Sequence, residues 1–217
     1  MLPIRSGPTI PPVDAVADAH RRLAAALTDL TDVAVRESSR LPGWTRGHVL
    51  AHLADAARAR ARVVEFALRG EAVAMWAAGE RDAIIEATAC RSADEHRTAV
   101  DAHAKTLERV WERVEDWPAF IPAVYTRWRE VWIHLVDLDI GVGPDDWDVD
   151  FACHAVDLLR TRIPAGTSMT ATDVPQRWGE GDGVAGAIRD LAAWLAGRGD
   201  GERLTGPLPP LGPWPAY

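Results

Sequence analysis

Residues 41–70 read LPGWTRGHVLAHLADAARARARVVEFALRG. A Pro-Gly pair precedes Thr45, which is a favourable N-cap residue, and Gly70 supplies a stop signal. Between these signals, apolar residues recur at the spacing of one helical face, at Val49, Leu53, Ala56, Val63 and Phe66. The stretch therefore predicts a long helix that runs from Thr45 to Arg69 and buries one side.

Three further amphipathic helices are predicted around this one. The first runs from Val13 to about Glu37, and the fourth from about Ala123 to Asp139. The third opens at Ser92, which forms a capping-box pattern with Glu95. Their apolar stripes comprise Val13, Val16, Leu23, Leu27 and Leu30, then Val100, Leu107, Val110, Trp111 and Val114, then Val124, Trp128, Val131, Leu135 and Leu138. Four such helices predict a four-helix bundle.

The pattern changes after Pro144. A helix is predicted over 150–162, a Thr-rich strand over 168–174 and a last helix over 184–197. We therefore expect a mainly α chain, α+β overall, with a four-helix bundle in residues 1–143 and a small C-terminal α/β domain in residues 144–217.

Charge and composition exclude several classes of partner. The net charge is −8 and no dense Lys/Arg stripe is present, so nucleic acid is not an expected partner. No secretory signal or membrane-length apolar stretch occurs, so we expect a cytoplasmic protein with no membrane partner. The two cysteines, Cys90 and Cys153, are isolated, which argues against a disulfide framework or a four-thiolate zinc site. If thiol chemistry occurs, the thiol comes from outside the chain.

Two pairs of metal-binding residue types stand four positions apart. His48 and His52 share a face of the second predicted helix, and Glu130 and His134 share a face of the fourth. His52 and His134 both fall in the register of the inward stripes. A carboxylate and two imidazoles are a common ligand set for a catalytic zinc that keeps one position open. The same donors also admit iron, manganese, nickel or copper.

Other interpretations of these residues stay open. Each histidine can be a hydrogen-bonded core residue, with Glu130 paired to Arg127 or Arg129. His48 is a competing ligand, but it lies near the first turn of its helix and off the apolar stripe, which favours a supporting or surface role. For His20 and His103, core packing with one hydrogen bond is the favoured interpretation.

The remaining motifs give little support for a further binding or catalytic site. Gly181, Gly183 and Gly186 match a dinucleotide-binding glycine pattern, but no apolar strand precedes them, so a flexible turn is favoured. Most of the ten tryptophans fall on helical stripes and are predicted to be core residues. No Ser-His-Asp ordering or nucleophile elbow is present, so the chain lacks a nucleophile of its own.

Three stretches of the sequence resemble the mycothiol-dependent maleylpyruvate isomerases of the DinB-like metalloenzyme superfamily. They are LPGWTRGHVLAHLA at 41–54, REVWIHLVDL at 129–138 and AGRGDG at 196–201. The resemblance implies a DinB-like bundle that holds zinc on His52, Glu130 and His134. It also implies that Arg198 is the functional arginine that binds substrate or cofactor.

The resemblance further implies the reaction. The thiolate of mycothiol adds to the cis double bond of maleylpyruvate, the resulting single bond rotates, and elimination gives fumarylpyruvate. A mycothiol S-transferase, a metal-dependent hydrolase and a non-catalytic metal-binding bundle are the alternatives on this scaffold. The expected partners are a small substrate and the thiol cofactor, in a monomer or weak homodimer. Two residues depart from the family: Asp139, where a glycine is common, and Asp55, where a neutral residue is frequent.

Overall fold

The computed structural model describes residues 12–215. The chain forms two compact units, Met1–Ile140 and Gly141–Tyr217. The helices described in the first unit are α1 (Val13–Ala26), α2 (Asp32–Arg36), α3 (Arg46–Leu68), α4 (Glu80–Thr88), α5 (Ala93–Trp111) and α6 (Ile121–Asp137). None of the helices in residues 12–215 is long and apolar enough to cross a membrane.

The first unit is the predicted four-helix bundle. Helices α1, α5, α3 and α6 form a closed ring in which each helix packs against two neighbours. The predicted stripes meet inside this ring, where Leu23, Leu53, Leu107 and Leu135 are fully buried. Burying these side chains stabilises the bundle by about 1.5–3 kcal/mol each. The predicted fold class, mainly α with a small C-terminal α/β part, is confirmed.

Helix α3 begins as its sequence predicts. The Thr45 side chain accepts a hydrogen bond from the backbone N–H of His48, and the Thr45 backbone N–H donates to His48 Nδ1 at 3.2 Å. The first turn of α3 also packs tightly, because a Cβ on Gly47 would lie 2.1 Å from the backbone oxygen of Ala89. This contact ties the start of α3 to the end of α4.

The prediction of one helix over residues 13–37 is wrong. Helix α1 ends at Ala26, and a separate helix, α2, begins after Thr31. The Thr31 side chain accepts a hydrogen bond from the backbone N–H of Ala34, so this residue serves as an N-cap and not as a helix interior residue. Leu27 and Leu30 are still buried in the intervening turn, which explains why the apolar spacing continued across the break.

The second unit combines two helices and a small sheet. Its elements are α7 (Val149–Leu159), β1 (Ser168–Ala171), β2 (Arg177–Trp178), β3 (Gly183–Gly186) and α8 (Ile188–Ala196). Strand β1 lies between β2, with which it pairs antiparallel, and β3, with which it pairs parallel. Helices α7 and α8 pack against each other.

Two predictions for the second unit need correction. The last helix begins at Ile188 and not at residue 184, and the glycine-rich segment predicted as a flexible turn is strand β3. The glycines allow close approach of the backbone: a Cβ on Gly183 would lie 2.0 Å from the backbone oxygen of Ser168, and one on Gly186 would lie 2.4 Å from Leu204 Cδ2. A strand without side-chain bulk has no alternating pattern for sequence analysis to detect.

The backbone explains the departure at Asp139. Asp139 has a φ of 53° and is the only residue other than glycine with a positive φ between residues 12 and 215. Glycine adopts this conformation without steric cost, and aspartate is among the residues that tolerate it best. The Asp139 carboxylate also accepts a hydrogen bond from Arg40 Nε at 3.1 Å.

Candidate metal centre

The three predicted ligands lie on facing helices of the bundle. His52 is on α3, and Glu130 and His134 are on α6. His52 Nε2 lies 3.4 Å from Glu130 Oε1, and the rings of His52 and His134 meet edge to face with centroids 4.9 Å apart. Among residues 12–215, however, no three His, Cys, Asp or Glu side chains already form a metal-binding group. The donors converge, while the assignment of a metal site stays a prediction.

The distance between His52 and Glu130 is longer than that of an ordinary charge-assisted hydrogen bond. The 3.4 Å separation exceeds the 2.7–2.9 Å that is usual for a charge-assisted hydrogen bond. Two donors about 2.1 Å from a tetrahedral zinc would stand about 3.4 Å apart. Buried His52 Nδ1 has no hydrogen-bond partner within the described residues. The interpretation of His52 as a fully hydrogen-bonded core histidine therefore loses its main support.

Both members of this pair have the protonation state that a metal requires. Burial lowers the pKa of His52 to about 4, so its ring is neutral at neutral pH. Burial alone would raise the pKa of Glu130, but the charges of Arg60 and Arg127 outweigh it and lower that pKa to about 2. A cation would therefore displace no proton from either side chain near neutral pH.

His134 is oriented by a carboxylate one turn further along α6. Its Nδ1 lies 2.9 Å from Oδ2 of Asp137, a residue that is only 1% exposed. In this contact the carboxylate oxygen is the acceptor, and His134 Nδ1 carries the hydrogen. This leaves Nε2 as the ring nitrogen with a lone pair. A carboxylate that fixes the tautomer of a histidine is a regular companion of histidine ligands to zinc.

The alternative pairing of Glu130 with an arginine is also present. Arg127 Nη1 donates to Glu130 Oε2 at 2.9 Å, and Arg60 Nη2 lies 3.7 Å from the same oxygen. The two interpretations are compatible because the carboxylate has two oxygens. Oε2 faces the arginines and Oε1 faces His52.

His48 lies outside the group of converging donors. Its Nδ1 is 2.7 Å from Thr45 Oγ1 in the cap of α3, and its Nε2 is 3.6 Å from Glu86 Oε2. Trp44 stacks near both histidines of α3, with ring centroids 6.2 Å from His48 and 5.9 Å from His52. His48 therefore supports the start of the helix, while Trp44 forms an apolar wall beside His52.

Arg198 belongs to the second unit. It follows α8 and lines a cavity of about 190 Å³ together with Asp190, Asp200 and Arg203. Its Nη1 donates to the backbone oxygen of Ala196 at 2.8 Å. A guanidinium can bind a carboxylate through two hydrogen bonds, and the role of Arg198 stays a prediction.

The bundle sequence matches a known family. The model described as "Mycothiol maleylpyruvate isomerase N-terminal domain" matches residues 16–139, which is more than half of the chain and includes every residue of the candidate metal centre. The chain belongs to this family. The resemblance of its motifs to the mycothiol-dependent maleylpyruvate isomerases is thereby confirmed, and the family is one of enzymes.

Two solved structures share the fold of this maleylpyruvate isomerase family member. One is the crystal structure of the mycothiol-dependent maleylpyruvate isomerase, with 23% identity and a TM-score of 0.79, covering 93% of this chain and 95% of that one. The other is a histidine-to-alanine mutant of the mycothiol-dependent maleylpyruvate isomerase, with 22% identity, a TM-score of 0.79 and the same coverage. No curated protein matches the chain.

Some residues and contacts around the centre of this family member were not predicted from its sequence. Asp137 stands three positions after His134, a spacing at which two helical side chains meet, and this could have revealed it. Arg60 stands eight positions after His52, on the same face of α3. The contacts that His20 and Arg127 make depend on packing between helices, which no spacing within one helix encodes.

We expect the Asp137→Asn variant to bind zinc about tenfold to a hundredfold more weakly than the wild type. The amide has no charge, so it holds the Nδ1–H tautomer of His134 less firmly. Asp139→Asn is a matched control, because Asp139 lies two residues away and its half-exposed carboxylate faces Arg40. Competition with a chromophoric chelator measures both affinities, and equal affinities for the two variants would show that Asp137 does not support the centre.

Proposed function

We propose that the chain is a zinc-dependent and mycothiol-dependent isomerase that converts maleylpyruvate, or a similar cis-enoyl acid, to its trans isomer by addition and loss of the thiol. The observation that carries the proposal is the convergence of His52, Glu130 and His134 in a chain of the maleylpyruvate isomerase family. Both solved structures that share the fold are named as mycothiol-dependent maleylpyruvate isomerases.

The states of the three candidate ligands support the proposal. His52 is neutral, Glu130 is charged, and Asp137 turns the lone pair of His134 away from itself. A zinc ion bound by these three residues would lower the pKa of a coordinated thiol, because the cation stabilises the thiolate. Three protein ligands leave one coordination position for that thiol. No sequence element offers an internal nucleophile, which is consistent with an external thiol.

The surroundings of His52 suit an anionic substrate. Arg81 lies with its guanidinium carbon 5.9 Å from the centre of the Trp44 ring, and its charge acts on His52. Trp44 keeps the adjacent volume apolar, which strengthens the attraction between a carboxylate and nearby cations. A dicarboxylate such as maleylpyruvate would gain from both features.

Arg198 is our proposed carboxylate-binding residue. A guanidinium can hold a carboxylate through two parallel hydrogen bonds, which fixes the orientation of an acid as well as its affinity. Arg198 lines the cavity in the second unit, and it is the arginine that the resemblance to the family selects for binding substrate or cofactor.

An isomerisation assay with maleylpyruvate tests this function. We expect turnover in the presence of mycothiol, loss of turnover without the thiol, and loss of turnover after treatment with a chelator that addition of zinc restores. Glutathione at the same concentration serves as the control for thiol identity. Consumption of mycothiol with formation of a stable adduct would indicate an S-transferase. Equal turnover with and without mycothiol would contradict the proposal.

A further inference from the structure

A chain of hydrogen-bonded polar side chains extends from Glu130 through the buried Arg127 and His20 to the partly exposed Glu108. Arg127 is fully buried; its Nη1 donates to Glu130 Oε2 at 2.9 Å and to the backbone oxygen of Leu53 at 3.0 Å. Its Nε donates to His20 Nε2 at 3.0 Å. His20 Nδ1 lies 2.6 Å from Glu108 Oε1. We call Glu108, His20 and Arg127 the relay.

The geometry of the relay assigns its protons. A guanidinium only donates hydrogen bonds, so His20 Nε2 must accept the bond from Arg127. The neutral ring carries one hydrogen, which must then sit on Nδ1 and point to Glu108. Burial lowers the pKa of His20, which agrees with a neutral ring. Each of the two hydrogen bonds of His20 therefore has a single direction, from Arg127 to His20 and from His20 to Glu108.

The hydrogen bonds of the relay join residues from all four helices of the bundle to the carboxylate of Glu130. Glu108 is on α5, His20 is on α1, Arg127 is on α6, and the carbonyl of Leu53 is on α3. A simple ion pair would need only the contact between Arg127 and Glu130. The additional hydrogen bonds, to His20 and to Leu53, restrict the Arg127 side chain to one orientation. This orientation determines which oxygen of Glu130 accepts a hydrogen bond from Arg127.

We propose that Arg127 and His20 are positioning residues that hold Glu130 as a one-oxygen ligand, with Oε1 turned toward His52 and Oε2 kept away from the metal. The proposal rests on the metal centre of the proposed function. A carboxylate held in this way loses no side-chain freedom when the metal binds, and it cannot rotate to offer both oxygens. Loss of the relay should therefore change both the affinity for the metal and the number of its ligands.

The first test uses the metal-free protein. The ring ¹⁵N resonances of His20 can be assigned in labelled wild type because they are absent from the spectrum of His20→Gln. At neutral pH, their chemical shifts should be those of a neutral ring with the hydrogen on Nδ1. In Arg127→Met, the tautomer with the hydrogen on Nε2 should become populated, since no donor then faces that nitrogen. A His20 ring that is protonated, or that carries its hydrogen on Nε2 in the wild type, would overturn the relay.

The second test uses Co²⁺ as the probe. We expect Arg127→Met to bind Co²⁺ about tenfold to a hundredfold more weakly, and His20→Leu about tenfold more weakly. The visible absorption of the bound ion should weaken in both variants as its coordination number rises. His20→Gln keeps an acceptor for Arg127 and should restore affinity to within about threefold of the wild type.

Controls separate the relay from the metal centre itself. Arg21→Met removes an exposed arginine from the same helix as His20 and should leave Co²⁺ binding unchanged. If Arg127→Met does not fold, the comparison of His20→Leu with His20→Gln still decides the question. Equal binding by the wild type and both His20 variants would overturn the positioning role alone. Absence of Co²⁺ binding in the wild type would overturn the proposed function as well.

Discussion

The His52→Ala variant is expected to lose bound zinc, with an affinity about a hundredfold to a thousandfold below that of the wild type. Zinc binding at protein sites with four ligands is worth about 10–16 kcal/mol, so one ligand accounts for roughly 2.5–4 kcal/mol. His52 is buried with a neutral ring and faces Glu130, so its loss removes a donor that no nearby group replaces. Elemental analysis after gel filtration and a chelator competition assay measure the effect.

His48→Ala is the matched control for this variant. Both changes remove an imidazole from α3, four residues apart, but His48 caps the helix and contacts Thr45 and Glu86. The control should keep about one zinc per chain and lose only about 1 kcal/mol of stability, the usual worth of a helix cap. Equal loss of zinc from both variants would mean that His48 is a ligand and that the choice of His52 alone is wrong.

The Glu130→Gln variant is expected to lower the free energy of unfolding of the metal-free protein by about 3–5 kcal/mol. Glu130 is the counter-charge for Arg127, which is fully buried, and for Arg60, which is 8% exposed. Removing one partner of a buried ion pair leaves the other charge without compensation, and this costs far more than an exposed pair contributes. Urea unfolding in the presence of a chelator measures the change.

Glu65→Gln provides the comparison for Glu130→Gln. Glu65 is 42% exposed and lies 3.9 Å from Arg113, so its loss should cost less than about 1 kcal/mol. If both variants lose the same small amount, the arginines behind Glu130 do not depend on its charge. The expected instability also explains why His52, and not Glu130, is the better position for testing the metal centre.

Much of the bundle could be predicted because its signals are local. Thr45 and Ser92 both cap helices, as predicted, and the reciprocal hydrogen bonds predicted for Ser92 and Glu95 are present. The break after Ala26 was missed because Leu27 and Leu30 stay in register with the core through the turn. Strand β3 was missed because glycine carries no polarity pattern, and its pairing with β1 is a contact between distant segments.

The candidate ligands could be chosen from helical spacing and family resemblance. The hydrogen bonds that hold those ligands in place could not be predicted in this way. Spacing placed Glu130 and His134 on one face of α6, where the structure has them. The contacts from Arg127 to His20 and from His20 to Glu108 join residues 107 and 88 positions apart. Such contacts depend on how α1, α5 and α6 pack. The buried Asp55 combines a local and a more distant contact, because Arg58, one turn further along α3, and Trp76, after the end of α3, both donate to its carboxylate at 2.7 Å.

Elemental analysis of the purified wild-type protein is the decisive measurement for the metal centre. We expect about one zinc per chain, or one equivalent taken up by metal-free protein and retained through gel filtration. A folded protein that neither contains nor takes up zinc or another divalent transition metal would contradict the assignment of His52, Glu130 and His134 as a metal centre.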